Sequence, residues 1–90
     1  MLKIYKKLCE KICDLTSKSV PEIMIFEILV NEILFFEKHK NQNAYYLYLF
    51  CLSAIRKNNP KALYVLYSYL QAHIRLFEYL EIGEIEEWQK

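Results

Sequence analysis

One glycine and two prolines in ninety residues leave little material for tight turns, so a many-stranded sheet is excluded and helices are favoured. The single glycine also removes any phosphate-cradling loop. Asp14 is the sole aspartate. No serine lies in a nucleophile motif, and no acid is placed to orient a histidine base. Metal-independent nucleases set an arginine a few residues ahead of a histidine. Here Arg56 is too far upstream of His73, and Arg75 follows it. The expectation is a protein without catalytic activity, cofactor or small-molecule substrate.

Long apolar runs are missing too. The longest uncharged one, Ala44 to Leu52, falls well short of the ~18 residues needed to cross a bilayer. Glu22, Glu27, Glu32 and Glu37 project on different sides of one helix, where lipid would be costly for them. No membrane contact is expected. The opening MLKIYKKLCEKIC interleaves lysines with apolar residues and has no signal-peptide core. Three cysteines, Cys9, Cys13 and Cys51, make an odd set, which reads as reduced thiols and a cytoplasmic location.

Net charge is +1, which alone implies neither nucleic acid nor an acidic ligand. Its distribution is uneven. Lysines dominate residues 1–18, and residues 41–77 hold Arg56, Lys57, Lys61 and Arg75 with no acid. Residues 78–90 carry five glutamates against Lys90. Such blocks are most often solvated faces.

Apolar residues are what the chain has in surplus: 54% of it is hydrophobic and 16% aromatic, with eight tyrosines. A chain of this length buries only roughly two-thirds of the surface its unfolded form exposes. Some of the excess must lie half-exposed, cover a partner, or meet a second copy.

The stretch around which the rest is organised is Ser19 to Lys38, SVPEIMIFEILVNEILFFEK. Ser19 and Glu22 have the spacing of a capping box, and Pro21 suits a first turn. From Ile23 onward only Glu27, Asn31 and Lys38 form a polar strip. A helix apolar over most of its circumference needs neighbours on several sides, so this is the central helix.

The helix before it, about Leu2 to Leu15, buries Ile4, Tyr5, Leu8, Ile12 and Leu15, with Cys9 and Cys13 at the edge. Its charges suggest local pairs, Lys6 or Lys7 with Glu10 and Lys11 with Asp14. After the central helix, the polar Lys38–Asn43 predicts a break, with Asn41 or Asn43 capping a third helix through Lys57. A single kinked helix from Val20 to Asn58 is the alternative. Asn58-Asn59-Pro60 is the clearest punctuation: Asn58 ends one helix left-handed, Asn59 caps the next, and Pro60 opens it. The last helix runs from about Pro60 to Ile82, stopped by Gly83. Its predicted core face is Ala62, Val65, Leu66, Tyr69, Leu70, His73, Leu76, Phe77 and Leu80. The reading is a compact all-α bundle of about four helices over residues 1–83, with an acidic tail over 84–90 and self-association as an option.

Three constellations merit weighing. Cys9 and Cys13, four residues apart, could offer two thiolates to a metal with His39 or His73. A closed zinc site needs four properly spaced ligands, so the blander reading, two small hydrophobes at a core rim, prevails and no metal is expected. His73 sits mid-face among Tyr69, Leu66 and Phe77, the setting of a histidine holding one buried hydrogen bond, for instance to a tyrosine hydroxyl.

The third constellation is the outer face of the last helix, where Tyr64, Ser68, Gln71 and Arg75 form a stripe of residue types that anchor protein interfaces; Trp88 in the tail suits docking. At the head of that helix, Arg56, Lys57, Asn59 and Lys61 surround free amides that favour an anion. The leading expectation is a non-catalytic interaction module, a small accessory subunit or homodimer that docks on a larger protein, including one that handles nucleic acid. The alternative is a helix–turn–helix-like nucleic-acid binder using the basic turn and the exposed face of the last helix.

Overall fold

In the computed structural model, which describes residues 2–37 and 42–88, four helices follow one another: α1 (Leu2–Ser17), α2 (Glu22–Glu37), α3 (Gln42–Arg56) and α4 (Ala62–Trp88). Among the described residues no strand is present. No helix is long and apolar enough to cross a membrane. Helices α2 and α3 lie most closely together, α1 lies along α4, and α1 touches α2 over a shorter stretch. The two helices therefore fold back on one another, which rules out one continuous helix from Val20 to Asn58. The break itself, with Lys38 to Asn41, lies outside the described residues. Asn43 belongs to α3 proper rather than to its cap.

One core holds the four helices. Tyr5, Leu8 and Ile12 from α1 meet Ile25, Phe26, Leu29 and Ile33 from α2. Leu47, Cys51 and Ala54 from α3, with Ala62, Leu63, Leu66 and Leu70 from α4, complete it. No charged or polar side chain is buried among the described residues. The apolar circumference of α2 is thus used on two sides, toward α3 and α1. Met24, Leu34 and Phe35 remain on its outside beside Glu27 and Asn31.

Both well-described reversals use one device. Ser19 has a φ of 58° and Asn58 a φ of 48°. In the first, Ser19 N–H donates to Thr16 O and Val20 N–H to Leu15 O. In the second, Asn58 N–H donates to Ile55 O and Asn59 N–H to Ala54 O. This 5→2 and 6→1 pattern is the Schellman motif, with a left-handed residue just past the helix end. Asn58 behaves as its sequence suggests. Ser19 does not: it closes α1 instead of capping α2. The carbonyl of Pro21 accepts from Ile25 N–H, so Pro21 itself stands at the N-cap. Its ring dispenses with a donor the helix start would leave unbonded. At the other turn, Asn59, Pro60 and Lys61 each accept from the amide three residues on, a tight 3₁₀-type lead into α4.

Two expectations for α4 are corrected. The helix continues through Gly83 to Trp88. Glycine costs about 1 kcal/mol relative to alanine inside a helix, too little to stop one when Glu84–Trp88 continue it readily. The buried face is also rotated. Leu63 is buried with Ala62, Leu66 and Leu70, and Tyr67 and Ile74 pack against them. Val65, Tyr69 and Leu76 are exposed. α4 has apolar residues on more than one side, and α1 covers the side bearing Tyr67 and Ile74.

Lys6, Lys7 and Lys11 of α1 reach across to other helices. Lys6 Nζ lies 3.1 Å from Glu78 of α4, and Lys7 and Lys11 lie 3.9 and 3.5 Å from Glu32 of α2. Asp14 takes Lys18 instead of Lys11. Half-exposed pairs of this kind contribute roughly 0–1 kcal/mol each.

Candidate interaction surface

Helix α4 positions most of the residues that could serve a partner, because α1 covers one of its flanks and leaves another open. α1 lies against the flank bearing Tyr67 and Glu78. The opposite flank, facing α3, is left open beyond a cleft of about 240 Å³ lined by Tyr46, Leu47, Phe50, Val65, Leu66 and Tyr69. Along this flank Val65 is 60%, Tyr69 44%, Leu76 51% and Tyr79 74% exposed. Ala72, between them, is exposed as well. On α3, Tyr46 adds to the same uncovered apolar surface, and Tyr45 and Leu49 are exposed nearby on that helix.

The stripe expected to meet a partner occupies the outer side of α4. Tyr64, Ser68 and Arg75 are exposed there. Gln71 is half-buried, and its Nε2 donates to the Tyr67 hydroxyl at 2.9 Å, so it is engaged within the molecule. The side chain of Trp88 lies outside the described residues. Arg56, Lys57, Asn59 and Lys61 are all exposed around the α3–α4 turn. The turn does bring them together at one end of the molecule.

A larger hollow of about 670 Å³ lies between the α1–α2 corner and the head of α4, where Ile12, Val20, Leu63 and Tyr64 are among the lining residues. Thr16, Ser17, Ser19 and Glu22 line it as well. Cys13 Sγ lies 3.2 Å from the Tyr67 hydroxyl. That hydrogen bond, followed by burial, raises the Tyr67 pKa. Burial raises Cys9 from 9.0 to about 11 and Cys51 to about 12. Burial, with Tyr69 adding to it, raises Tyr5 to about 12. Each displaced group is pushed toward staying neutral, the reverse of what activates a thiolate or phenolate. Among the described residues no three His, Cys, Asp or Glu side chains gather as metal ligands. His39 lies outside them.

His73 rests in an aromatic cage, 4.2 Å from Tyr69, 5.6 Å from Tyr5 and 5.9 Å from Phe77 between ring centroids. Its Nδ1 is buried and has no hydrogen-bond partner.

Sequence reasoning missed the α4 flank because it assigned Val65, Tyr69 and Leu76 to the core. A signal was present. Positions 65, 69, 72, 76 and 79 alternate steps of four and three, the spacing of a helix–helix seam, in addition to the stripe that serves the core. No family model, no curated protein and no solved structure matches this chain.

Proposed function

We propose that this chain is a non-catalytic helical interaction module, an accessory subunit or homodimer whose uncovered apolar and tyrosine surface is covered by protein. One observation carries this reading: the flank of α4 that α1 leaves open displays Val65, Tyr69, Leu76 and Tyr79 to solvent. Single exposed apolar residues are ordinary, but contiguous rows of them mark contact sites. Tyrosine supports the reading further, since it anchors interfaces with an apolar body and a polar tip. Light scattering behind a sizing column, together with binding of a hydrophobic dye, tests it. A monomer that binds no dye would remove its basis.

A second reading is favoured by the exposed Arg56, Lys57, Asn59 and Lys61 at the α3–α4 turn, in a region of the chain without acids. As a nucleic-acid contact, this corner would bind with an affinity that falls steeply with salt through counterion release. Lys57→Glu with Lys61→Glu would abolish such binding; binding unchanged by the pair would retire this reading.

A further inference from the structure

We infer that the open flank of α4 is a self-pairing surface, on which a second copy of this chain lies antiparallel with the two-fold axis passing Ala72. This rests on the interaction-module reading and names the partner. The seam positions 65, 69, 72, 76 and 79 keep a seven-residue repeat along a single helix of 27 residues, roughly 40 Å at 1.5 Å per residue. An antiparallel two-fold at Ala72 sets each position as far after 72 against the position equally far before it. Val65 then faces Tyr79 of the second copy. Tyr69 falls beside Arg75 and Leu76, and Ala72 meets itself. Small residues thus meet large ones at the ends, and the smallest residue sits where the helices approach most closely.

Charge selects the antiparallel sense. In this register the last turn of α4 of one copy overhangs the first turn of the other, Ala62 pairing with 82. The glutamate-rich end of the chain thereby lies toward the end of the partner that carries Lys57 and Lys61, at the positive end of its helix. A parallel pairing would set glutamates against glutamates and lysines against lysines. The sequence therefore places opposite charges at the two ends of an uncharged stripe, which is what an isologous contact requires. With the stated exposures, Tyr46, Leu49, Val65, Tyr69, Leu76 and Tyr79 offer an area on the order of 600 Å² per copy, taking about 150–250 Å² for a tyrosine. Doubled, that is about 1,200 Å², the lower bound for a specific, stable interface.

Cysteine cross-linking of the full chain tests the geometry, in a Cys13→Ser background so that no other exposed thiol competes. Ala72→Cys is expected to give a covalent dimer on mild oxidation. Val65→Cys alone is expected to give none, whereas Val65→Cys mixed with Tyr79→Cys gives one. Sedimentation of the unmodified chain should yield twice the 10.9 kDa chain mass. Ala72→Glu should weaken that association at least tenfold while leaving the circular dichroism unchanged. A chain that stays monomeric, or a dimer indifferent to Ala72→Glu, overturns the proposal, as does a Val65→Cys homodimer without one at Ala72→Cys. A monomer that still binds hydrophobic dye would keep the interaction-module reading with another occupant, and one that does not would end both.

Discussion

Cys13 of α1 and Tyr67 of α4 stand 3.2 Å apart, sulfur to hydroxyl oxygen, across 54 positions of sequence. Gln71 donates to the same hydroxyl. The contact ties the last turns of α1 to the first turns of α4, and Lys6 near the start of α1 pairs with Glu78 farther along α4. The two helices are thereby held antiparallel.

Cys13 is exposed while Cys9 and Cys51 are buried. A thiol-reactive dye added to the native protein should therefore label Cys13 rapidly and the other two only on unfolding. Rapid labelling of all three under native conditions would contradict the packing of α1 and α3.

The same burial makes stability depend on alkaline pH. Folding raises the Cys9 and Cys51 thiols from 9.0 to about 11 and about 12, and the Tyr5 phenol from 10.0 to about 12. The unfolded chain releases these protons first, so the folded state holds more of them between the two values. Their contribution is complete below pH 9.0 and is lost as the pH climbs toward 12. Urea midpoints should fall progressively above pH 9.0, and Cys51→Ala should flatten part of that decline. A midpoint constant to pH 11 would show that these groups are not buried as described.

Ser19→Gly separates two roles for one residue. A left-handed conformation costs an L-residue about 1–2 kcal/mol and glycine almost nothing. With a φ of 58°, this exchange should stabilise the fold by roughly 0.4–1 kcal/mol. Were Ser19 an N-cap, glycine would instead cost a few tenths. Denaturant titration of the variant gives the sign.

The register of α4 can be read from a pair of truncations. Leu63→Ala removes a buried side chain and should cost about 2–5 kcal/mol. Val65→Ala, measured in dilute solution, should cost less than about 1 kcal/mol, since surface substitutions rarely cost more. Equal losses would restore the face expected from periodicity alone.

The contrast between these residues explains how much of the molecule was legible. The existence of four helices, the apolar circumference of α2 and the left-handed Asn58 all follow from local chemistry: spacing, capping preferences and the Asn-Asn-Pro turn. The rotation of α4 does not. Val65 and Leu63 are equally apolar, and only the position of α1 decides which is covered. The lysine partners were hidden for the same reason, since Glu32 and Glu78 reach Lys11 and Lys6 only once helices are side by side. Serine is common at helix starts, so its spacing to Glu22 suggests a cap, but the six-residue closure from Leu15 to Val20 holds Ser19 at the end of α1. Of the candidate surface, Tyr64, Ser68 and Arg75 were placed correctly on the outside. The neighbouring flank was taken for core because the apolar pattern cannot say how many neighbours exist.

The pairing of α1 with α4 has a consequence for biosynthesis. Ribosomes deliver α1 before its long partner, so the Tyr5 ring that packs on His73 and Phe77 emerges well before the helix that shelters it. α2 and α3 can clasp each other as soon as both are translated, because few residues separate them. Until α4 leaves the exit tunnel, α1 has only the α2–α3 pair to pack against.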